Sequence, residues 1–241
     1  MQTTSARITV DQLLGLDESH LYTLPDGHRL QAEAASAFAV LCEEARTAGF
    51  APAIASSYRS FERQLAIFNA KATGARAVHD DVGATVVMES LAPAQQLDAI
   101  LRFSALPGTS RHHWGTDLDI YDQKAVPEDY VVQLTPQEVA TGGVFDPFHC
   151  WLDERIALGQ SQGFYRPYAV DRGGVSPERW HLSYAPLSQS CDKRIDAGML
   201  REVWQTLSVG SELALLDLVS AELDNLLERY VKIPADWCPR V

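Results

Sequence analysis

The hydrophobic and polar positions along the chain predict helices and short strands in alternation. From Leu30 to Ala48 apolar side chains recur at helical spacing, and Gly49 is placed to end that helix. The apolar segment 50–56 predicts a buried strand, and Ser60 is a candidate N-cap for a second helix. Three further helices are predicted at residues 93–103, 151–162 and 211–231. Two further strands are predicted at residues 117–121 and 179–184.

The remaining segments predict surface loops around one large domain. Residues 71–92 lack a clear period, and residues 122–148 are rich in proline and glycine. A length of 241 residues with 46% hydrophobic and 22% charged residues is typical of a folded globular chain. The leucines of segment 211–231 recur at helical spacing, which favours core packing over a face for a partner protein.

Charge excludes several classes of partner. The chain has 32 acidic and 20 basic residues and a net charge of -12, so it repels phosphate backbones and anionic lipid. We therefore expect no nucleic-acid partner, and no segment approaches the roughly 18 apolar residues of a membrane span.

The first residues lack signal-peptide features, so we expect a cytoplasmic location, although a trimmed exported protein would look the same. The four cysteines, which form no paired motif, predict free thiols: Cys42, Cys150, Cys191 and Cys238.

Two clusters of polar residues carry candidate metal chemistry. In the first, His112 and Asp119 are separated by Gly115, which can supply a turn that lets both side chains reach one ion. In the second, His181 lies on a predicted strand with Glu178 three residues upstream. Two histidines and one carboxylate suit zinc and leave a fourth position open for water. Glu178 can accept a proton from that water and pass it to the leaving amine.

Three ordered motifs give the sequence a family resemblance over about residues 30–190. The pattern S-x-H-x-x-G-x-x-x-D is matched by Ser110, His112, Gly115 and Asp119. The pattern E-x-W-H is matched by Glu178, Trp180 and His181. The pattern S-x-x-R-S-x-x-x-Q is matched by Ser56, Arg59, Ser60 and Gln64. The sequence thus resembles the VanY-type D-alanyl-D-alanine carboxypeptidases, zinc peptidases related to VanX dipeptidases and hedgehog-type domains.

The resemblance implies a fold and a set of roles. The implied fold is α+β, a small antiparallel sheet that carries the zinc site and is flanked by helices. His112, Asp119 and His181 would bind one Zn²⁺, and Glu178 would be the general base. Arg59 would stabilise the oxyanion at the scissile carbonyl. Two further residues would position the substrate: Gln64 and Ser110.

One position departs from the family pattern. Where the family has a small residue, often alanine, two places before the aspartate ligand, this chain has Asp117. Strand alternation places it on the same face as Asp119. Asp117 could crowd the site, bind a neighbour such as His113, or compete as a ligand.

The resemblance implies a carboxypeptidase that removes a terminal D-alanine from peptidoglycan-derived peptides. A D,D-enzyme would cut pentapeptides and an L,D-enzyme tetrapeptides, and a cytoplasmic recycling role favours the latter. The alternatives are an endopeptidase or dipeptidase of the same metal type and a non-catalytic zinc-binding domain. Glu178 argues against the last, because a structural zinc needs no base. Beyond the resemblance lies a C-terminal extension of about residues 191–241. Its predicted helix at 211–231 either caps the pocket or forms a dimer contact, so the oligomeric state is open.

Overall fold

A four-stranded antiparallel sheet forms the centre of the protein. The computed structural model describes residues 7–189, 191–207 and 212–234. The strand order is β3-β4-β6-β5, and a separate hairpin pairs β1 with β2. The strands are β1 Tyr22–Thr23, β2 Arg29–Leu30, β3 Pro52–Ser56, β4 Asp117–Asp122, β5 Phe164–Tyr165 and β6 His181–Tyr184. The three strands predicted from the sequence are all present in this sheet, which confirms the α+β class.

Helices surround this sheet. Short 3-10 turns at Met88–Ser90, Arg111–Trp114 and Gln123–Ala125 connect them, and a π-helical turn at Leu227–Val231 follows the last helix. The α-helices in the described residues are α1 Val10–Leu14, α2 Ala32–Thr47, α3 Phe61–Ala72, α4 Pro93–Leu101, α5 Pro136–Val139, α6 Asp146–Ala157, α7 Ala185–Ser188, α8 Cys191–Arg194, α9 Ala197–Gln205 and α10 Leu216–Leu226.

Local signals in the sequence set the ends of α2 and α3. Gly49 has a φ of 99°, a left-handed conformation that glycine adopts without steric cost, and it follows the end of α2. The Ser60 side chain accepts a hydrogen bond from the backbone N–H of Arg63, which confirms Ser60 as the N-cap of α3.

Three predicted segments differ in their bounds from the observed elements. The helix predicted at 151–162 is α6, which begins at Asp146 because Pro147 occupies its first turn and ends before Gly159, whose φ is 67°. Segment 122–148 is therefore not a continuous loop, since it contains α5 and the start of α6. The helix predicted at 211–231 is α10 followed by the π-helical turn, and its first residue lies outside the described residues.

The two faces of the sheet have different roles. Leu118, Ile120 and Leu182 point into a hydrophobic core shared with α2 and α6. Asp119 and His181 alternate with them and lie opposite each other in the β4–β6 register. Alternation along two neighbouring strands thus places polar side chains together on one face.

A second hydrophobic core joins the N-terminal, middle and C-terminal helices. It contains Leu13 of α1, Phe68 of α3, Ile100 of α4 and Leu223 of α10, all fully buried. Burying one such side chain contributes about 1.5–3 kcal/mol. Four leucines of the predicted stripe pack in this core, Leu213, Leu223, Leu226 and Leu227, while Leu216 is exposed. Among the described helices, none combines the length and apolar character needed to cross a bilayer.

Candidate metal centre and active site

The three predicted metal ligands converge on one point. His112 lies in the 3-10 turn before Gly115, Asp119 in β4 and His181 at the start of β6. One ligand atom from each lies within 4.8 Å of the others, and all three residues are buried. His112 Nε2 is 3.3 Å from Asp119 Oδ2, and His181 Nδ1 is 3.3 Å from Asp119 Oδ1. Within the described ranges, no other group of histidine, cysteine or acidic side chains is arranged in this way.

Gly115 produces the turn on which this convergence depends. Its φ of 68° is left-handed, and a Cβ there would overlap the side chain of Leu21. The carbonyl of Gly115 accepts a hydrogen bond from the backbone of Gln31, which fixes the turn against the segment before α2. The predicted turn between His112 and Asp119 is therefore confirmed.

Hydrogen bonds orient both histidine rings toward Asp119. His112 Nδ1 lies 2.9 Å from the carbonyl oxygen of Ser57, which can only accept, so Nδ1 carries the proton. His181 Nε2 lies 3.0 Å from Asp117 Oδ1 and donates to it. In the neutral rings, His112 Nε2 and His181 Nδ1 are then the nitrogens without a proton, and they are the ones able to bind a metal. Such contacts to the remote ring nitrogen fix tautomer and ring orientation in metal sites.

Asp117 lies behind His181. Its carboxylate accepts from Arg111 Nε at 2.7 Å and from Thr116 Oγ1 at 2.6 Å, as well as from His181. Burial raises the pKa of Asp117, but Arg111 and the hydrogen bond from His181 outweigh it and lower the pKa to about 2. The suggested contact with His113 is wrong, because the His113 ring binds Arg59 O and Gly108 N instead.

The residues present fit a zinc ion. Asp119 Oδ1 is buried, has no hydrogen-bond partner and lies 3.3 Å from His181 Nδ1. Burial lowers the pKa of His181, but the carboxylates of Asp117, Asp119 and Glu178 outweigh burial and raise it well above its usual range. These carboxylates therefore favour a positive charge at His181 Nδ1, which a proton or a bound metal ion can supply. The cluster therefore attracts positive charge strongly, and its donor atoms are those zinc prefers.

Glu178 lies beside the predicted metal position. Its Oε2 is 3.2 Å from His181 Nδ1, the nitrogen that faces Asp119. The backbone N–H of Glu178 donates to the carbonyl of Tyr168, and its own carbonyl accepts from the N–H of His181. This turn holds the carboxylate at the wall of a cavity. The position is suitable for a general base.

The members of the third motif bind one another. Arg59 Nη1 donates to Gln64 Oε1 at 2.8 Å, and Arg59 Nη2 donates to Ser56 Oγ at 3.3 Å. The Arg59 backbone N–H donates to the carbonyl of His112. The spacing of this motif places Ser56 and Gln64 on two sides of the Arg59 guanidinium, and the Arg59 backbone next to the candidate metal ligand His112. Burial lowers the pKa of Arg59, while Asp119 and Glu178 raise it.

The two predicted substrate-positioning residues have different surroundings. Ser110 lines the cavity and precedes the turn that carries His112. Gln64 is fully buried, and its amide nitrogen donates to Ala105 O at 2.7 Å and to Ser104 Oγ at 3.3 Å. In this structure Gln64 holds Arg59, and contact of either residue with substrate stays a prediction.

A cavity of about 360 Å³ opens over the cluster. The Tyr168 ring packs edge-on against His181, with centroids 5.1 Å apart, and Tyr230 lines the far end. Two cations not considered in the sequence analysis, Lys71 and Arg76, line the α3 side. Lys71 could have been found from its spacing, because it follows Gln64 by seven residues on the same face of α3.

Comparison with known sequences supports these motifs. The sequence model of the VanY family, described as D-alanyl-D-alanine carboxypeptidase, matches residues 27–187. The chain is 42% identical over 104 residues to an uncharacterized protein of Haemophilus influenzae, covering 42% of this chain and 71% of that one. It is 29% identical over 167 residues to an Enterococcus faecalis D-alanyl-D-alanine carboxypeptidase, covering 68% of this chain. The match spans about half, 51%, of that relative's length.

Solved structures include similar chains. One is a vancomycin-resistance D,D-pentapeptidase VanY from a VanB-type resistance cassette, a variant in complex with Zn(II). It shares 25% identity with this protein at a TM-score of 0.49, covering 73% of this chain and 83% of that chain.

Proposed function

The chain belongs to the VanY D-alanyl-D-alanine carboxypeptidase family, and on this premise we propose a zinc-dependent carboxypeptidase acting on peptidoglycan-derived peptides. The reaction would hydrolyse the last peptide bond and release a terminal D-alanine. The observation that carries the proposal is the cluster of His112, Asp119 and His181 with the Glu178 carboxylate 3.2 Å from a metal-facing nitrogen. A structural metal site would have no use for that carboxylate.

His112 Nε2, Asp119 and His181 Nδ1 would hold the zinc. A bound zinc lowers the pKa of water to about 7 and polarises a carbonyl oxygen, which supplies both nucleophile and electrophile at neutral pH. Asp117 and the carbonyl of Ser57 keep the remote ring nitrogens protonated, so the ligand nitrogens stay available.

Glu178 would move the proton. Its carboxylate accepts a proton from the attacking water as the new C–O bond forms. The same proton then passes to the leaving amine nitrogen as the C–N bond breaks, so that D-alanine departs with a neutral amine. Because Glu178 lines the cavity next to His181, it can reach both positions.

Arg59 would stabilise the negative charge that develops on the scissile carbonyl oxygen. A guanidinium has five N–H donors, and the described hydrogen bonds of its side chain go to Gln64 and Ser56. The remaining donors are available on the cavity side, and the two anchors prevent reorientation during the reaction. Ser110, at the cavity wall, would bind the substrate backbone or terminal carboxylate.

We propose the L,D version with a cytoplasmic recycling role as the first form to test. It rests on the expected location, because returned turnover fragments would be mostly tetrapeptides. The D,D version would use the same groups on pentapeptides.

The test incubates purified protein with pentapeptide and tetrapeptide muropeptides, with and without a chelator, and identifies products by mass spectrometry. We expect loss of one alanine from one of the two peptides, abolished by chelator and restored by zinc. Loss from the tetrapeptide identifies an L,D-enzyme, and loss from the pentapeptide a D,D-enzyme. Cleavage at an internal L-alanine linkage, or no cleavage of either peptide, would contradict the proposal.

A further inference from the structure

Three cationic side chains line the cavity without a direct ion pair. The chain carries a net charge of -12, yet Arg59, Lys71 and Arg76 all line this cavity. Within residues 7–189, 191–207 and 212–234, no carboxylate forms an ion pair with any of the three. The buried Arg111, in contrast, is paired with Asp117 at 2.7 Å. Three carboxylates line the same cavity without an ion pair to these cations: Asp80, Asp119 and Glu178. The cations are therefore able to pair with a carboxylate of the substrate.

The separation of Lys71 from the contact between Gln64 and Arg59 follows from the geometry of α3 and of the segment 103–105. It follows Gln64 by seven residues, two turns of α3 or about 10 Å along the axis. Its Nζ donates to Phe103 O at 3.3 Å, while Gln64 donates to Ala105 O, two residues further along the same segment. Two extended residues span about 7 Å. Lys71 is thus roughly 7–10 Å from the point at which Gln64 anchors Arg59.

The surroundings of Lys71 disfavour its charge. Burial, together with repulsion from Arg76 and Arg59, lowers the pKa of Lys71 to about 8, and the attraction of Glu178 opposes this shift. Apolar and aromatic groups also line the cavity, including Phe103, Val175 and Tyr230. Such walls strengthen an ion pair formed between Lys71 and an incoming anion.

We propose that Lys71 and Arg76 bind a second carboxylate of the peptide substrate, carried by a residue on the acyl side of the cleaved bond. This inference rests on the proposed carboxypeptidase function and names its substrate class. A carboxypeptidase leaves one residue on the other side of the bond, and consecutive Cα atoms are only about 3.8 Å apart. A distance of 7–10 Å corresponds instead to two or three residues of extended peptide. The terminal carboxylate is therefore too close to the bond to reach Lys71.

The test compares acyl-side carboxylates with carboxamides. Muropeptides ending in D-alanine are prepared with each acyl-side carboxylate free or amidated, and kcat/KM is measured for wild type and Lys71→Gln. In wild type we expect one amidation to lower kcat/KM roughly tenfold, through KM, because a charge-assisted hydrogen bond is lost. In Lys71→Gln the free and amidated peptides should be cleaved about equally, at the rate of the amidated peptide in wild type.

A matched control is Lys124→Gln. Lys124 also donates to a backbone carbonyl, that of Gly49, but it is exposed and does not line the cavity. This variant should keep the roughly tenfold preference of wild type. Equal cleavage of free and amidated peptides by wild type, or the same loss on both in Lys71→Gln, would overturn the proposal.

Binding of the acyl product separates this inference from the proposed function. The product peptide without its D-alanine retains the acyl-side carboxylates, and its affinity is measured by calorimetry without turnover. We expect roughly tenfold weaker binding to Lys71→Gln than to wild type. Absence of hydrolysis with this difference retained would reject the carboxypeptidase and keep the subsite, and equal affinities would reject the subsite.

Discussion

The two sides of the cavity differ in the sign of their charge. On the side of β4 and β6, the carboxylates of Asp119 and Glu178 lie beside His181. On the side of α3, Arg59 and Lys71 have no carboxylate within ion-pair distance in the described parts of the chain. We expect the first side to bind a metal cation and the second an anionic substrate. Charged groups without a direct partner thus indicate the charge of the ligand that would balance them.

The largest expected effect concerns the carboxylate side. Glu178→Gln keeps the shape and hydrogen-bonding capacity of the side chain but cannot accept the proton. We expect kcat to fall about 10³-fold, within the range for a general base, while the protein still binds one zinc. Steady-state kinetics and metal analysis on the same preparation measure both quantities.

The control for that variant is Glu128→Gln, an exposed carboxylate away from the cavity. Its kcat should match wild type. Turnover near the wild-type rate in Glu178→Gln would remove Glu178 from the mechanism.

On the cationic side, Arg59→Lys should lower kcat about 100-fold. Lysine keeps the charge but cannot bond Gln64 and Ser56 at once, so its charge is no longer held at the carbonyl. Arg63→Lys, on an exposed position of α3, serves as the matched control. If Arg59→Lys left kcat unchanged, a positive charge alone would be enough to stabilise the carbonyl oxygen. The hydrogen bonds to Gln64 and Ser56 would then not be needed for catalysis.

The variant Asp117→Ala removes the carboxylate that accepts the hydrogen bond from His181 Nε2, and it introduces the small residue typical of the family. We expect zinc affinity to fall about 10- to 100-fold, measured by competition with a chromogenic chelator. The same change leaves Arg111 buried without its carboxylate and should lower the free energy of unfolding by about 3–5 kcal/mol.

Adding Arg111→Met to Asp117→Ala separates the two effects. The double variant should recover much of the stability, because no buried charge is left unpaired, while zinc affinity stays low. Recovery of zinc affinity together with stability would show that Asp117 acts through folding rather than through the ring of His181.

The smallest effect concerns Lys71 and its pKa of about 8, below the usual 10.5. Below pH 8 both folded and unfolded chains carry the charge, and Lys71→Met should be about 1 kcal/mol more stable, less than the full pKa shift implies because the hydrogen bond to Phe103 O is lost. Between pH 8 and 10.5 the folded chain releases the proton first, so wild-type stability rises toward that of the variant. Denaturant unfolding at several pH values measures the difference in free energy of unfolding between Lys71→Met and wild type. A difference that does not shrink as the pH rises from 8 to 10.5 would contradict the prediction.

Much of the site could be predicted from sequence because its residues lie in short local patterns. The turn at Gly115 and the alternation of β4 depend on neighbouring residues, so His112 and Asp119 could be placed together. The Ser60 cap of α3 is equally local.

The partners of Asp117 could not be predicted from such patterns. They depend on the β4–β6 register, which brings His181 within 3.0 Å of a residue 64 positions earlier. The spacing of Lys71 after Gln64 is visible in the sequence, but its place beside Phe103 and Arg76 in one cavity depends on the tertiary fold. The start of α6 is different, since Pro147 is a local signal for the first turn of a helix.

Metal content tests the central claim most directly. Elemental analysis of the purified protein, after dialysis against zinc and then metal-free buffer, should give one zinc per chain in wild type. A variant with His112→Ala, Asp119→Ala and His181→Ala together should retain none while remaining folded by circular dichroism. Wild type without zinc, or a triple variant that keeps it, would contradict a metal centre at these three side chains.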